Sequence, residues 1–113
     1  MNPKILIVDD EPAARHGLKR ALEAVACDIV EAADGLAALE EMDRSEPDLL
    51  ICDIQMPGLD GLGLMKKLAD RENRPPVIMI TAYGSERIAV EAMKAGAYDY
   101  LSKPYDVDEL RCL

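Results

Sequence analysis

The stretch Lys4-Ile5-Leu6-Ile7-Val8-Asp9-Asp10-Glu11 decides how the rest of the chain is read. Its apolar run is continuous rather than alternating, and a strand of that kind is covered on both faces. The run then stops on consecutive acids, which leaves carboxylates at the strand's carboxyl end. Two further runs share this character: Leu49-Leu50-Ile51-Cys52, followed by Asp53, and Val77-Ile78-Met79-Ile80, followed by Thr81. Buried strands separated by stretches of helical period are the pattern of a parallel α/β sheet.

Outward from these runs, strands are predicted at residues 4–8, 28–32, 48–52, 77–81 and 98–101. Ala14, Leu18, Ala21, Leu22 and Val25 recur on one side of a helix predicted over residues 11–26, with Pro12 in its first turn and His16, Arg20 and Glu23 facing water. Asp34 is the candidate N-cap of a second helix that carries Leu36, Leu39 and Met42 on one side and stops before Pro47. A third helix, from Gly61 to Arg71, is expected to bury Leu64, Met65 and Leu68. A fourth, capped by Ser85, is expected to bury Ile88, Ala89, Ala92 and Met93 and to end at Gly96. Asp106 and Glu109 open a fifth. Its apolar side, Val107, Leu110 and Leu113, runs to the last residue, so this helix is expected to be truncated.

The chain has 113 residues and is expected to form one domain, residues 1–113. It carries 22 acidic against 13 basic residues, a net charge of -9. Gripping a nucleic-acid backbone needs clustered Lys and Arg, so no direct nucleic-acid contact is expected. The longest apolar runs are about four residues, far below the roughly 20 needed to span a bilayer. The acids at 9–11 also interrupt the first run too early for a signal peptide, so a cytoplasmic location is expected. Cys27, Cys52 and Cys112 form neither an even disulfide set nor a CxxC pair, and reduced thiols are expected.

Right-handed crossovers leave few topologies for five βα units, and the order 2-1-3-4-5 covers both sheet faces. Sites in such sheets lie at the carboxyl ends of the strands, at the switch between the first and the third. The residues arriving there are Asp9, Asp10, Asp53, Thr81 and Lys103. Taken singly, an Asp after a strand is an ordinary cap or turn residue and a Lys an ordinary surface residue. Together they converge on one rim. Three carboxylates repel one another unless a cation joins them, and Mg²⁺ suits hard oxygen ligands while keeping waters that a phosphate displaces. A carboxylate in such a site is a nucleophile toward phosphorus and gives an acyl phosphate. The transfer itself needs positioning and charge neutralisation, with Lys103 offering an ammonium and Thr81 a hydroxyl.

The segments IVDDE at 7–11, DIQMPGLDGL at 53–62, TAYG at 81–84 and GAYDYLSKPYD at 96–106 resemble the receiver domain of two-component response regulators. The resemblance runs from Lys4 to about Leu110 and implies a flavodoxin-like (βα)5 sheet acting as a phosphorylation-activated signalling switch. It implies that Asp53 takes a phosphoryl group from the phosphohistidine of a sensor histidine kinase. Mg²⁺ would be held by Asp10, Asp53 and the backbone carbonyl of Gln55, with Asp9 acting mostly through a metal-bound water. Thr81 and Tyr100 would be the switch pair, Lys103 would pair with a phosphoryl oxygen, and Lys103-Pro104 resembles the family's cis X-Pro bond. Gln55 and Tyr83 would set how fast water attacks the acyl phosphate.

By the same resemblance the chain is no enzyme beyond its own phosphorylation and dephosphorylation. It would signal to a covalently linked effector absent from this sequence, with a homodimer forming on phosphorylation. The fourth helix, fifth strand and fifth helix would be the output face, carrying Arg87, Glu91, Lys94, Tyr98 and Asp99. The segment 96–110 also resembles receivers attached to enhancer-binding transcription activators.

Three other classes compete. A haloacid-dehalogenase-like phosphohydrolase also uses an Asp nucleophile and Mg²⁺, but it needs a second Asp where Gln55 stands. Losing that acid–base group costs roughly 10² to 10⁴ in rate. A flavodoxin-like FMN binder shares the fold but needs a Ser/Thr-rich phosphate loop and flanking aromatics where this chain has Asp9-Asp10-Glu11. A degenerate receiver acting only in dimerisation would have no need of the acidic cluster together with Thr81 and Lys103.

Overall fold

The computed structural model describes residues 3–54, 56, 58, 59, 61–71, 75–81, 86–94 and 96–102, with backbone alone at 81, 86, 88, 89, 92 and 102. Strands and helices alternate: β1 (Lys4–Val8), α1 (Pro12–Ala21), β2 (Asp28–Ala32), α2 (Gly35–Arg44), β3 (Leu49–Asp53), α3 (Gly61–Leu68), β4 (Val77–Thr81), α4 (Glu86–Lys94) and β5 (Asp99–Ser102). The strands form one parallel sheet in the order β2-β1-β3-β4-β5, as the spacing predicts. The expected fifth helix and its residues Asp106, Val107, Glu109, Leu110 and Leu113 lie outside the described residues.

Because successive strand side chains point to opposite faces, each strand feeds two cores. Ile5, Ile7, Ile51, Ile78, Ile80 and Leu101 pack with Leu18, Ala21 and Leu22 beneath α1. Leu6, Val8, Leu50, Cys52, Val77 and Met79 pack on the other face against Ala38 and Met42 of α2 and Leu64, Met65 and Leu68 of α3. The central strands are thus covered on both sides, which is what their unbroken apolar sequence requires.

The structure differs from the sequence reading at several boundaries. α1 ends at Ala21, five residues earlier than the apolar stripe suggests. Leu22 still buries, but its N–H bonds to the carbonyls of Leu18 and Lys19, and Val25 N–H bonds to Leu22. These tight turns bring the chain back to β2, where Asp28 N–H meets the Pro3 carbonyl at 2.8 Å. Val25 is left 37% exposed.

In α2 the buried side is Gly35, Ala38 and Met42, with Leu39 half-buried and Leu36 61% exposed. The phase is set by the helix start, where Gly35 lies against Leu59 and donates its N–H to the Leu59 carbonyl at 3.2 Å. Leu36, one step of about 100° further round, turns outward. Met93, expected to bury, is 38% exposed on α4, and Ser85 and the side chains of Ile88, Ala89 and Ala92 lie outside the described set. Gly96 does end α4 in the left-handed region, at φ +107, as a C′ glycine should. β3 and β5 each sit one residue later than predicted, so Asp53 is the last residue of its strand rather than the first beyond it. Among the described residues no helix is long and apolar enough to cross a membrane.

Candidate functional site

Parallel register fixes where the acids emerge. Val8 pairs with Cys52, so Asp9 leaves β1 beside Asp53 at the end of β3, and Asp53 in turn pairs with Ile80 on β4. The backbone of Thr81 follows directly, paired with Ser102 of β5. The switch point between β1 and β3 is therefore an acidic rim, as the order of strands demands.

One carboxylate oxygen from each of Asp9, Asp10 and Asp53 lies within 4.8 Å of the other two. Asp9 is 2% exposed and Asp53 9%, while Asp10 faces solvent. The donor set fits a hard divalent cation: all oxygens, all anionic, and open on the Asp10 side to water or an incoming anion. A cation among them would offset the mutual repulsion of the three carboxyl groups.

Asp9 and Asp53 are seated by the backbone around them. Asp9 donates its N–H to the Ala32 carbonyl at 3.1 Å, and its Oδ1 accepts from the Glu11 N–H at 2.9 Å. Asp53 is followed by Ile54, whose N–H bonds to Ile80 at 3.0 Å and whose carbonyl accepts from Gly61 N–H at 2.9 Å. Gly61 opens α3 directly on this backbone; a Cβ there would lie 2.7 Å from Ile54 Cα and 2.8 Å from the Asp53 carbonyl oxygen. Gly58, at φ +75, makes the preceding turn in a conformation that suits glycine.

Of the residues singled out from sequence, the structure brings Asp9, Asp10 and Asp53 together. Thr81 is seated at the end of β4 by its backbone alone, and Gln55, Tyr83, Lys103 and Pro104 lie outside the described residues. Tyr100 lies on β5 opposite Met79 and is 36% exposed. Of the output-face candidates, Arg87, Glu91, Lys94 and Tyr98 are exposed and Asp99 is half-buried. Cys52 is fully buried beside the site, donating its thiol to the Asp53 carbonyl at 3.3 Å. Cys27 is a free thiol, its pKa pushed up by burial and then by the neighbouring Asp28 carboxylate. Cys112 lies outside the described residues.

Three residues that touch this site were not singled out by sequence: Arg15, whose Nη1 donates to the Asp9 carbonyl at 2.6 Å, its partner Glu31, and Gly61. Arg15 sits on the edge of the α1 apolar stripe, where a charged residue reads as solvated. Gly61 is visible in sequence only as a helix start.

A family model described as the response regulator receiver domain matches residues 5–112. The regulatory protein AtoC of Escherichia coli is 41% identical over 110 residues, covering 97% of this chain and 24% of that protein. Sporulation initiation phosphotransferase F of Bacillus subtilis is 37% identical over 111 residues, covering 98% of this chain and 90% of that protein. The crystal structure of the receiver domain of NtrX from Brucella abortus superposes with a TM-score of 0.90 at 34% identity, covering 96% of this chain and 92% of that one. The chain thus spans about a quarter of the length of AtoC and most of the phosphotransferase. The phosphohydrolase expected as an alternative finds no support in these matches.

Proposed function

The chain belongs to the response regulator receiver family, a family of phosphorylation-activated signalling switches, and from that premise we propose that Asp53 is its phosphoacceptor. The observation that carries this reading is the meeting of Asp9, Asp10 and Asp53 within 4.8 Å at the carboxyl ends of β1 and β3. A carboxylate oxygen of Asp53 attacks the phosphorus of a phosphohistidine on a sensor histidine kinase. The new P–O bond forms as the P–N bond breaks, and its electron pair returns to the imidazole.

Mg²⁺ held by Asp10 and Asp53, with the Gln55 carbonyl and with Asp9 acting through water, would supply charge neutralisation for the carboxylates and the phosphoryl oxygens. Burial of Asp9 and Asp53 keeps these carboxylates in fixed places, so little reorganisation is needed at the moment of transfer. Thr81 and Lys103 complete the set as hydroxyl and ammonium donors to the phosphoryl oxygens, and Tyr100 is the ring that follows Thr81 inward. Such a switch works by contacts that only the phosphorylated state makes. The catalysis is confined to the chain's own phosphorylation and dephosphorylation.

Likeness to the longer regulatory protein AtoC supports a linked effector; transcriptional output and pairing of receivers on phosphorylation belong to the same proposal. The sporulation phosphotransferase supports a second reading, in which a receiver of nearly this length passes the phosphoryl group onward instead.

Incubation with Mg²⁺ and a small acyl phosphate, followed by mass spectrometry, is expected to show one added phosphoryl group on the parent and none on Asp53→Asn. No adduct on the parent would identify a receiver that signals without phosphorylation, and an equal adduct on the variant would move the phosphoacceptor elsewhere.

A further inference from the structure

Asp9 is tied through its N–H, its Oδ1 and its carbonyl to three different parts of the fold. Its N–H reaches the Ala32 carbonyl at the end of β2, and its Oδ1 accepts from Glu11 in the turn. Its carbonyl accepts from Arg15 Nη1 on α1 at 2.6 Å. The same guanidinium donates from Nε to Glu31 Oε1 on β2 at 3.2 Å, and the Arg15 side chain is only 17% exposed. From this geometry we infer that Arg15 is a positioning residue of the acidic site, with Glu31 holding Arg15 in place. It fixes the backbone from which Asp9 and Asp10 face Asp53. The inference rests on the reading of that site as the seat of Mg²⁺.

Charge alone does not explain Arg15. A lone cation beside the acids would oppose the binding of a divalent cation, and Glu31 at 3.2 Å offsets that charge. What the pair contributes is placement. A planar guanidinium presents several N–H groups in a fixed fork, so one side chain meets a carbonyl on the β1–α1 turn and a carboxylate on the edge strand together. A lysine carries the same charge on a single flexible ammonium and lacks that fork. The contact is also not one that α1 needs for its own hydrogen bonding, because Arg15 N–H already bonds to the Glu11 carbonyl at 3.2 Å.

Arg15→Lys therefore separates placement from charge. Isothermal calorimetry with Mg²⁺ is expected to give a Kd raised roughly tenfold, the scale on which partners of metal ligands act. Phosphorylation by a small acyl phosphate at saturating Mg²⁺ is expected to stay within about twofold of the parent rate, since the loss is in binding and not in the transfer step. Glu31→Asp, which keeps the charge and shortens the reach, is expected to weaken Mg²⁺ binding in the parent and to add nothing in the Arg15→Lys background, the signature of two residues acting through one contact.

A lowered melting temperature with an unchanged Kd in Arg15→Lys would overturn the inference and leave Arg15 a purely structural residue. Should Arg15→Lys fail to fold, Glu31→Asp at the exposed end of the pair decides the matter by the same titration, since it keeps the charge and withdraws the contact. Failure of the parent to bind Mg²⁺ would overturn the reading of the site, and this inference with it; binding by the parent with equal Kd in both variants would overturn the inference alone.

Discussion

The turns β1–α1 and β2–α2 begin alike, with a strand running into Asp and then into a helix, yet their aspartates have opposite employment. In β2–α2, Asp34 is the N-cap of α2 and accepts from the Ala37 N–H at 2.8 Å, satisfying a donor that the helix itself leaves unpaired. In β1–α1 the cap position is taken by Glu11, whose side chain makes no capping bond, and Pro12 opens the helix. Proline has no N–H, so one of the donors needing a cap is missing from the start. Asp9 and Asp10 stand with Asp53 instead. What an aspartate after a strand does depends on whether the following helix still needs it.

The strongest way to break this comparison is to neutralise one acid in each turn. Asp10→Asn keeps the shape and removes one of three clustered charges, and Mg²⁺ affinity is expected to fall roughly a hundredfold, about 2.7 kcal/mol. The metal-free variant should melt at a higher temperature than the parent, because a repulsive neighbour of Asp9 and Asp53 is gone. Mg²⁺ should then raise its melting temperature less, since stabilisation by a ligand follows its affinity. Asp34→Asn is expected to change neither quantity, as asparagine caps a helix about as well as aspartate. Calorimetry and thermal melts with and without Mg²⁺ measure both; a matching loss of affinity in the two variants would erase the distinction between the turns.

The third acidic turn sharpens the picture, for at β3–α3 the start of the helix closely approaches the backbone that carries the aspartate. A methyl group at Gly61 meets the backbone of Ile54 and Asp53, at 2.7 and 2.8 Å, which cannot yield as a flexible side chain would. Gly61→Ala is expected to cost about 1–3 kcal/mol in denaturant unfolding, the usual range for overpacking. Because the displaced backbone is that of Asp53 and Ile54, phosphorylation should slow as well. Parental stability and rate in this variant would mean that α3 shifts away freely and that the glycine does not position the acid.

These particulars show why some of the molecule was readable from sequence and some was not. The sheet and its order follow from five apolar stretches and the short connections between them, and the meeting of Asp9, Asp10 and Asp53 follows from parallel register. The exposure of Leu36 and Val25 did not follow, because the phase of α2 is set by the Gly35 contact with Leu59 and the end of α1 by the return to β2. Both are long-range contacts that local periodicity does not contain. Arg15 escaped notice for a related reason: its acceptors are a backbone carbonyl and a residue 16 positions away.

The smallest effect completes the comparison at the two helix starts themselves. Asp34→Ala removes a real cap and is expected to destabilise the protein by about 1 kcal/mol, leaving Mg²⁺ affinity unchanged because Asp34 is no member of the cluster. Glu11→Ala removes a side chain that caps nothing; its N–H, which Asp9 uses, belongs to the backbone and survives the change. Stability should therefore stay within about 0.5 kcal/mol of the parent, as for an exposed surface substitution. Denaturant unfolding of the two variants side by side gives the difference directly. Equal losses would show that α1 does depend on a side-chain cap, and the place of Asp9 and Asp10 beside Asp53 would then need a cause other than Pro12.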